Sequence, residues 1–110
     1  MTTQDWSEEI IMVDLVEDPE LSDELNALAE RMETDSKDVV LNFANIKFLN
    51  SSNISRLLKL RKVVLDNKHS LCLCNIAIQV WGVFLLTGLD SIFDVAEDTA
   101  TALTSLQMKS

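Results

Sequence analysis

The chain has 110 residues, of which 47% are hydrophobic, and it contains only two glycines and one proline. This composition is typical of one compact domain and excludes a disordered or low-complexity chain. The formal net charge of −9 argues against general affinity for nucleic acid or an anionic membrane.

Acidic and basic residues are concentrated in different segments of the chain. Thirteen of the eighteen acidic residues lie between positions 5 and 38, whereas six of the nine basic residues lie between 47 and 68. The basic segment predicts either one solvated basic helix face or a surface that binds a partner.

No signal peptide is expected, because the first residues are polar and acidic. The longest apolar stretch, residues 76–86, is interrupted by Gln79 and is shorter than the about 20 residues that span a bilayer. Without an export signal, Cys72 and Cys74 are expected to be reduced, buried thiols. We therefore expect a cytoplasmic protein with no direct membrane insertion.

In chain order, residues 1–8 are predicted to be a flexible N-terminus and residues 9–108 a single domain. Residues 9–16 are rich in Ile, Val and Leu, which indicates a first strand that is buried on both faces. Asp18 is a possible N-cap, and Pro19 suits the first turn of the helix that follows. That helix has one apolar stripe, formed by Leu21, Leu25, Leu28, Ala29 and Met32.

The most informative stretch follows a second buried strand at residues 39–43. Phe48 and Leu49 precede four small polar residues, Asn50-Ser51-Ser52-Asn53, which can cap a helix. An amphipathic pattern then continues over residues 54–66. The two serines are therefore predicted to lie at a helix N-terminus, where unpaired N–H groups and the helix dipole favour negative charge.

Projected at 100° per residue, the helix over 54–66 has a broad apolar arc. Its members are Ile54, Leu57, Leu58, Leu60, Val64 and Leu65. Arg61 falls inside this arc. Either its aliphatic stem packs inward with the guanidinium reaching past the edge, or it is a ligand for an anion.

Residues 70–75 are predicted to form a third strand, with Leu71 and Leu73 on one face and the two cysteines on the other. Asn75 is a candidate cap for a helix over 76–87, and Gly88 suits the position just after its end. A short strand and a closing helix over 96–107 follow, the latter with Ala100, Leu103 and Leu106 facing inward. This order predicts an α/β domain with a small mixed sheet of about four strands and about four helices.

Two motifs resemble those of the STAS domain family, whose best-known members are anti-sigma factor antagonists. Residues 48–54 resemble the family pattern of an aromatic residue, an apolar residue and Asp-Ser-Ser-Gly before a helix, and Leu86-Thr87-Gly88-Leu89 resembles a second signature. This resemblance covers about residues 10–106. It implies a further strand between the first strand and the first helix, but almost no residues are available for it, so we expect it to be short or absent.

The resemblance implies that Ser51 is a phosphorylation site, with Ser52 as the alternative. Asn50 and Asn53 depart from the family's aspartate and glycine, and both departures could block modification. The partner-binding surface is expected to include Phe48, Leu49, Asn50, Ser51, Ser52, Asn53, Arg56 and Lys59.

The function implied is that of an anti-sigma factor antagonist, a bacterial transcription regulator that acts by partner switching with an anti-sigma factor that is also a serine kinase. The alternative is a constitutive subunit of a transporter ATPase complex or a signalling scaffold. Two simpler roles for the serines also remain, namely capping the helix and binding a small anion near Arg56. No nucleophile with an activating base, phosphate loop or metal-ligand set is recognisable, so we expect no enzymatic activity, no cofactor and no metal.

Overall fold

One sheet with helices on both faces organises the chain in the computed structural model, which describes residues 2–108. The strands are β1 (Thr2–Asp5), β2 (Ile10–Asp14), β3 (Asp38–Asn42), β4 (Leu71–Cys74) and β5 (Asp94–Ala96). The helices are α1 (Leu21–Thr34), α2 (Ser51–Asp66), α3 (Ile78–Thr87) and α4 (Thr99–Met108), with a short 3₁₀ turn at Leu89–Ser91 before β5.

The strands lie side by side in the order in which they occur in the chain. β1 is antiparallel to β2, whereas the pairs β2–β3, β3–β4 and β4–β5 are parallel. The register places Ile11 beside Val39, and Val39 beside Leu71. Because β2, β3, β4 and β5 run in the same direction, the segments that follow them lie together at the carboxyl ends of these strands.

The two faces of the sheet carry two separate apolar cores. Strand residues such as Ile11, Leu41 and Leu73 pack against α1, α2 and α3 on one face. On the other face, Val40 and both cysteines pack against α4. This separation follows from the alternation of side chains along a strand, as predicted for residues 71–74.

The predicted α/β fold with a mixed sheet and four helices is confirmed, with five strands rather than about four. The flexible N-terminus expected at residues 1–8 needs correction, because Thr2–Asp5 form β1 and pair with β2. Met1 lies outside the described residues. Residues 15–20, between β2 and α1, form no strand, as expected from the small number of residues available there. The fifth strand of the sheet is β1, which precedes β2.

Two expectations about helix details were wrong. Asn75 does not cap α3, because that helix begins at Ile78. The backbone of Asn75 has φ 55°, and the side-chain amide of Asn75 donates a hydrogen bond to Asn42 Oδ1 at 2.9 Å. In α4, Ala100 is exposed and Ala102 takes the inward position beside Leu103 and Leu106. The apolar stripe predicted for α1 is buried at all five positions.

Candidate functional site

The start of α2 is fixed by two asparagines. Asn50 is the N-cap with extended backbone, and its side-chain Oδ1 accepts a hydrogen bond from the backbone N–H of Asn53 at 2.8 Å. In return, Asn53 Oδ1 accepts from the backbone N–H of Asn50 at 3.0 Å. This reciprocal pair is a capping box. The interpretation that Ser51 and Ser52 cap the helix is therefore wrong, because Asn50 has that role.

A carboxylate from the β2–α1 connection holds both asparagines. Asp18 accepts hydrogen bonds from Asn50 Nδ2 at 2.7 Å and from Asn53 Nδ2 at 3.2 Å. Asn53 Nδ2 also donates to Ser22 Oγ at 2.9 Å, and only 1% of Asn53 is exposed. These four residues, Asp18, Ser22, Asn50 and Asn53, form what we call the asparagine network, which fastens the start of α2 to the start of α1.

The sequence-based expectation for Asp18 was wrong. The N-cap of α1 is Glu20, which makes no side-chain capping bond, and Asp18 is bonded to α2 instead. The neighbouring Glu17 carboxylate accepts a hydrogen bond from the backbone N–H of Lys47, so the same connection also holds the loop before α2. One signal could have indicated this contact, since β2 and β3 are adjacent parallel strands and their following loops must meet.

The asparagine network gives Asn50 and Asn53 a structural role. Where the STAS pattern has an aspartate, this chain has the neutral Asn50, bonded to the carboxylate of Asp18. Where the pattern has a glycine, the buried side chain of Asn53 completes the network. The carboxylate at this helix start therefore comes from a different segment of the chain and contacts the two asparagines.

The two serines have different environments. Ser51 is the first residue of α2 and is exposed, and its hydroxyl makes no hydrogen bond to any residue that the structure describes. The Ser52 hydroxyl lies 3.3 Å from the hydroxyl of Ser22, at the edge of the asparagine network. Of the two, Ser51 is the hydroxyl that can be changed without breaking an internal contact.

Two exposed leucines lie on the same side of α2 as Ser51. Leu58 and Leu65 follow it at intervals of seven residues and are 36% and 41% exposed, which corrects their expected inward position. They lie at the margin of the predicted arc, whereas Leu57, Leu60 and Val64 at its centre are buried. In the preceding loop, Phe48 is 68% exposed.

Basic residues flank this surface to different extents. Lys59 is exposed and forms no ion pair with any described residue. Lys62 is paired with Asp66 at 2.9 Å. The buried Nε of Arg56 has no hydrogen-bond partner within residues 2–108. The guanidinium carbon of Arg61 lies 5.9 Å from the centre of the Phe93 ring, as expected for an inward aliphatic stem with a cation–π contact at the edge.

The structure brings the predicted site residues together at the start of α2, but two of them are not accessible. Leu49 is 6% exposed and belongs to the main core, so its expected place on a partner surface is corrected. Asn53 is buried in the asparagine network and cannot contact a partner with its side chain. The accessible set consists of Phe48, Ser51, Ser52 and Lys59, with Asn50 and Arg56 partly exposed.

Neither a metal-ligand cluster nor a membrane span is found in the described part of the chain. Residues 2–108 contain no group of three or more His, Cys, Asp or Glu side chains that could hold a metal ion. None of the four α-helices within those residues has the length and apolar character needed to cross a bilayer.

Comparison with known proteins gives one family and a set of similar folds. The model of the STAS domain matches residues 12–102. An anti-sigma-factor antagonist (STAS) domain protein from Planctomyces limnophilus superposes with a TM-score of 0.82 at 14% identity, covering 96% of this chain and 97% of that one. No curated protein matches by sequence.

Two further solved structures share this fold. A sulfate transporter family protein from Wolinella succinogenes has a TM-score of 0.76 at 14% identity, covering 91% of this chain and 84% of its own. The anti-sigma factor antagonist SpoIIAA in its unphosphorylated form has a TM-score of 0.71 at 14% identity, covering 90% and 89%. At these identities the likeness establishes the fold.

Proposed function

The chain belongs to the STAS domain family, and on that basis we propose that it is a non-enzymatic protein-docking module of the anti-sigma factor antagonist type. It binds its partner with the start of α2, and Ser51 is the residue whose phosphorylation would release the partner. The partner is an anti-sigma factor with serine kinase activity, and the protein acts in the cytoplasm.

One observation carries this proposal: the Ser51 hydroxyl is exposed and has no structural task. Helix capping is done by Asn50, and the side-chain hydrogen bonds from the start of α2 to Asp18 and Ser22 are made by Asn50, Ser52 and Asn53. A hydroxyl that contributes nothing to the fold, at the centre of an accessible helix start, is available to an incoming kinase. The same hydroxyl is small enough to be covered by a closely packed partner.

The surface around Ser51 indicates the chemistry of that partner. Phe48, Leu58 and Leu65 offer exposed apolar area, and Lys59 adds a positive charge that no residue within 2–108 pairs with. Interfaces with this combination bind a surface that has an apolar centre and acidic groups at its rim. The chain as a whole has a net charge of −9, so this basic segment is where an acidic partner meets the least repulsion.

Phosphorylation would act on the interface rather than on the fold. A phosphate would add about −1.5 to −2 charges at the first residue of α2, where the helix dipole tolerates negative charge. The first turn of α2 contains no acidic residue. A partner packed over Ser51 would then have to accommodate the bulk of the phosphate and remove water from its charge, which opposes binding.

A second function is favoured by the asparagine network. Asn50 and Asn53 replace the two family residues next to the serine, and their side chains are committed to Asp18 and Ser22. A helix start fixed in this way suits a subunit that binds without being switched, such as the STAS component of a transporter ATPase complex. The two functions share the docking surface and differ in whether Ser51 is modified.

The docking surface is tested by capture from the native host followed by mass spectrometry. Phe48→Ser and Lys59→Glu should each reduce the recovered partner severalfold, whereas Ser105→Glu, on the exposed side of α4, should not. Recovery of an ATP-binding anti-sigma factor supports the first function, and recovery of a transporter ATPase supports the second. Equal recovery with Phe48→Ser, Lys59→Glu and wild type would contradict the docking surface.

The switch is tested separately with the captured partner. Under the first function, Ser51→Glu binds the partner at least about tenfold more weakly than wild type, which corresponds to about 1.4 kcal/mol. Incubation with the kinase and Mg·ATP should modify wild type at Ser51 and leave Ser51→Ala unmodified. An unmodified wild type together with full binding by Ser51→Glu would reject the switch and leave the constitutive function.

A further inference from the structure

The sheet ends on β5, and the outer edge of this strand is open. β5 is the last strand in the spatial order, and among residues 2–108 its strand partner is β4 alone. Its three residues, Asp94–Ala96, include neither a lysine nor a proline, which commonly protect an edge strand. Val95 at its centre is 40% exposed. The edge therefore offers a template for one added strand.

The opposite edge of the sheet is less suited to such an addition. β1 contains no apolar residue. Its last residue, Asp5, is held by Arg31 at 3.3 Å and by Lys37 at 3.5 Å. An added strand can therefore bury apolar surface at the β5 edge but not at the β1 edge.

A largely apolar groove of about 400 Å³ lies beside β5, next to the start of α3. Its lining residues are Ile76, Trp81, Val95, Ala96 and Glu97. The Trp81 indole stacks on the ring of Phe84, with centroids 5.9 Å apart and planes inclined by 22°. Because Phe84 is fully buried, it holds the indole in place, and the groove exists before any partner arrives.

The register of β5 determines which side chains an added strand would meet. Val95 lies beside Leu73, which packs on the α3 side of the sheet, and Asp94 lies beside Cys72, on the α4 side. Side chains of paired strands alternate together, so Val95 faces the groove and Asp94 faces the other way. An added strand thus needs an apolar side chain opposite Val95, and the neighbours of that residue point to the face that carries Asp94.

Charge determines what those neighbours should be. Residues 69–108 include no lysine or arginine and four acidic residues, namely Asp90, Asp94, Glu97 and Asp98. Glu97 lines the groove, and Asp94 and Asp98 are exposed. One cation from another segment, Arg61, lies against the ring of Phe93 just before β5 and leaves the acidic residues in excess. The edge therefore favours basic residues and repels acidic ones.

We propose that the β5 edge binds an extended basic segment of a partner protein by strand addition. The segment places one apolar residue in the groove beside Val95 and Trp81, with Lys or Arg on either side of it. Backbone hydrogen bonds hold it, and the groove and the acidic residues select its sequence. Because β5 has only three residues, the contact is short and the binding weak. This site is separate from the docking surface at the start of α2, which attracts the opposite charge.

The test uses a fluorescently labelled heptapeptide of alternating lysine and isoleucine, titrated with the full chain at low salt. Fluorescence polarisation measures the affinity, and changes in amide NMR shifts, expected at residues 94–97, locate the site. A lysine–glycine heptapeptide of the same charge should bind at least about tenfold more weakly, because it has no side chain for the groove. A fully N-methylated lysine–isoleucine peptide should lose as much, because it cannot donate backbone hydrogen bonds to β5.

Two variants change the site itself. Val95→Lys protects the edge and Glu97→Lys reverses a charge of the groove, and each should weaken binding of the lysine–isoleucine peptide at least about tenfold. Glu30→Lys makes the same change of charge as Glu97→Lys on the exposed side of α1 and should alter binding by less than about twofold. Phe48→Ser should bind like wild type, so the result does not depend on the α2 docking surface. Circular dichroism establishes that each variant is folded.

Three results would overturn the inference. The first is that the lysine–isoleucine peptide, at up to millimolar concentration, shifts no amide within residues 94–97. The second is that the glycine or N-methylated peptide binds as tightly as the parent, or that folded Glu97→Lys binds like Glu30→Lys. The third is self-association of wild type that Val95→Lys abolishes, which would assign this edge to a second copy of the chain.

Discussion

The Asp18 carboxylate accepts a 2.7 Å hydrogen bond from the side-chain amide of Asn50, across 32 positions of sequence. This contact joins the beginning of α1 to the beginning of α2. It also places a carboxylate against the side chain of Asn50, a neutral residue at the position where the family pattern has an aspartate. The stability of the candidate site should therefore depend on a residue outside its own motif.

Removal of that carboxylate should destabilise the protein. Asp18→Ala leaves Asn53, which is 1% exposed, with one fewer acceptor for its amide, and the expected loss in the free energy of unfolding is about 1–2 kcal/mol. Urea unfolding monitored by circular dichroism measures it. Glu30→Ala, an exposed acid in the middle of α1, is the matched control and should change stability by less than about 0.5 kcal/mol.

Restoring the aspartate of the family pattern should be unfavourable in this chain. Asn50→Asp keeps the oxygen that caps α2 but places a second carboxylate against the exposed Asp18, with an expected cost of about 1 kcal/mol at neutral pH. Adding Asp18→Asn should recover most of this loss, because an amide then faces a carboxylate again. If the double variant is no more stable than Asn50→Asp alone, the pairing is not what holds the site.

Replacement of Ser51 should leave stability nearly unchanged. Its hydroxyl has no hydrogen bond within the described part of the chain, so Ser51→Ala should shift the free energy of unfolding by less than about 0.5 kcal/mol. Asn50→Ala removes the cap and should cost about 1 kcal/mol or more. A loss on Ser51→Ala that equals the loss on Asn50→Ala would return the serine to a structural role.

The two glycines should respond in opposite directions to alanine. Gly82 lies within α3 with open space around it, so Gly82→Ala should raise the free energy of unfolding by about 0.5–1 kcal/mol. Gly88 ends α3 with φ 76°, a conformation that an L side chain rarely adopts, and Gly88→Ala should cost about 1 kcal/mol. Thermal unfolding of the two variants and of wild type measures both changes in stability. Equal shifts would show that local helix preference is not the controlling factor.

The two cysteines should react only after unfolding. Both are buried under α4, and burial raises the pKa of the Cys74 thiol, so the reactive thiolate is disfavoured in the folded chain. Because the unfolded thiol ionises at lower pH than the folded one, this group reduces stability as pH rises through the ordinary thiol pKa. A thiol reagent at pH 8 should modify native protein far more slowly than protein in urea. Ser105→Cys supplies an exposed thiol as the positive control.

Most of the fold could be predicted because its signals are local. The apolar stripe of α1 follows from the helical repeat of that segment alone, and it is buried as expected. The alternation of Leu71 and Leu73 with the two cysteines follows from the two-residue repeat of a strand, and it also appears as expected. The placement of the two serines in the first turn of a helix also followed from neighbouring residues. The helix began three residues earlier than the apolar pattern did, since its first turn is polar.

The features that sequence reasoning missed depend on contacts between distant segments. β1 is made of polar residues at the edge of the sheet, so its strand character comes from backbone pairing with β2 and leaves no apolar pattern. The asparagine network likewise joins residues more than thirty positions apart. The exposure of Leu58 and Leu65 could not be predicted for a further reason. A helical projection shows which way a side chain points, but it does not show how much of the helix surface the neighbouring elements cover.

The order of the strands has a consequence for how the protein is made. Because each strand pairs with the one synthesised immediately before it, every β-ladder has its template already present when the next strand leaves the ribosome. Successive parallel strands are separated by a connection that contains one α-helix, so the loop that must close for two strands to pair is short. The domain can thus be assembled from its amino end onward, and α4, which covers the second face, closes the structure last.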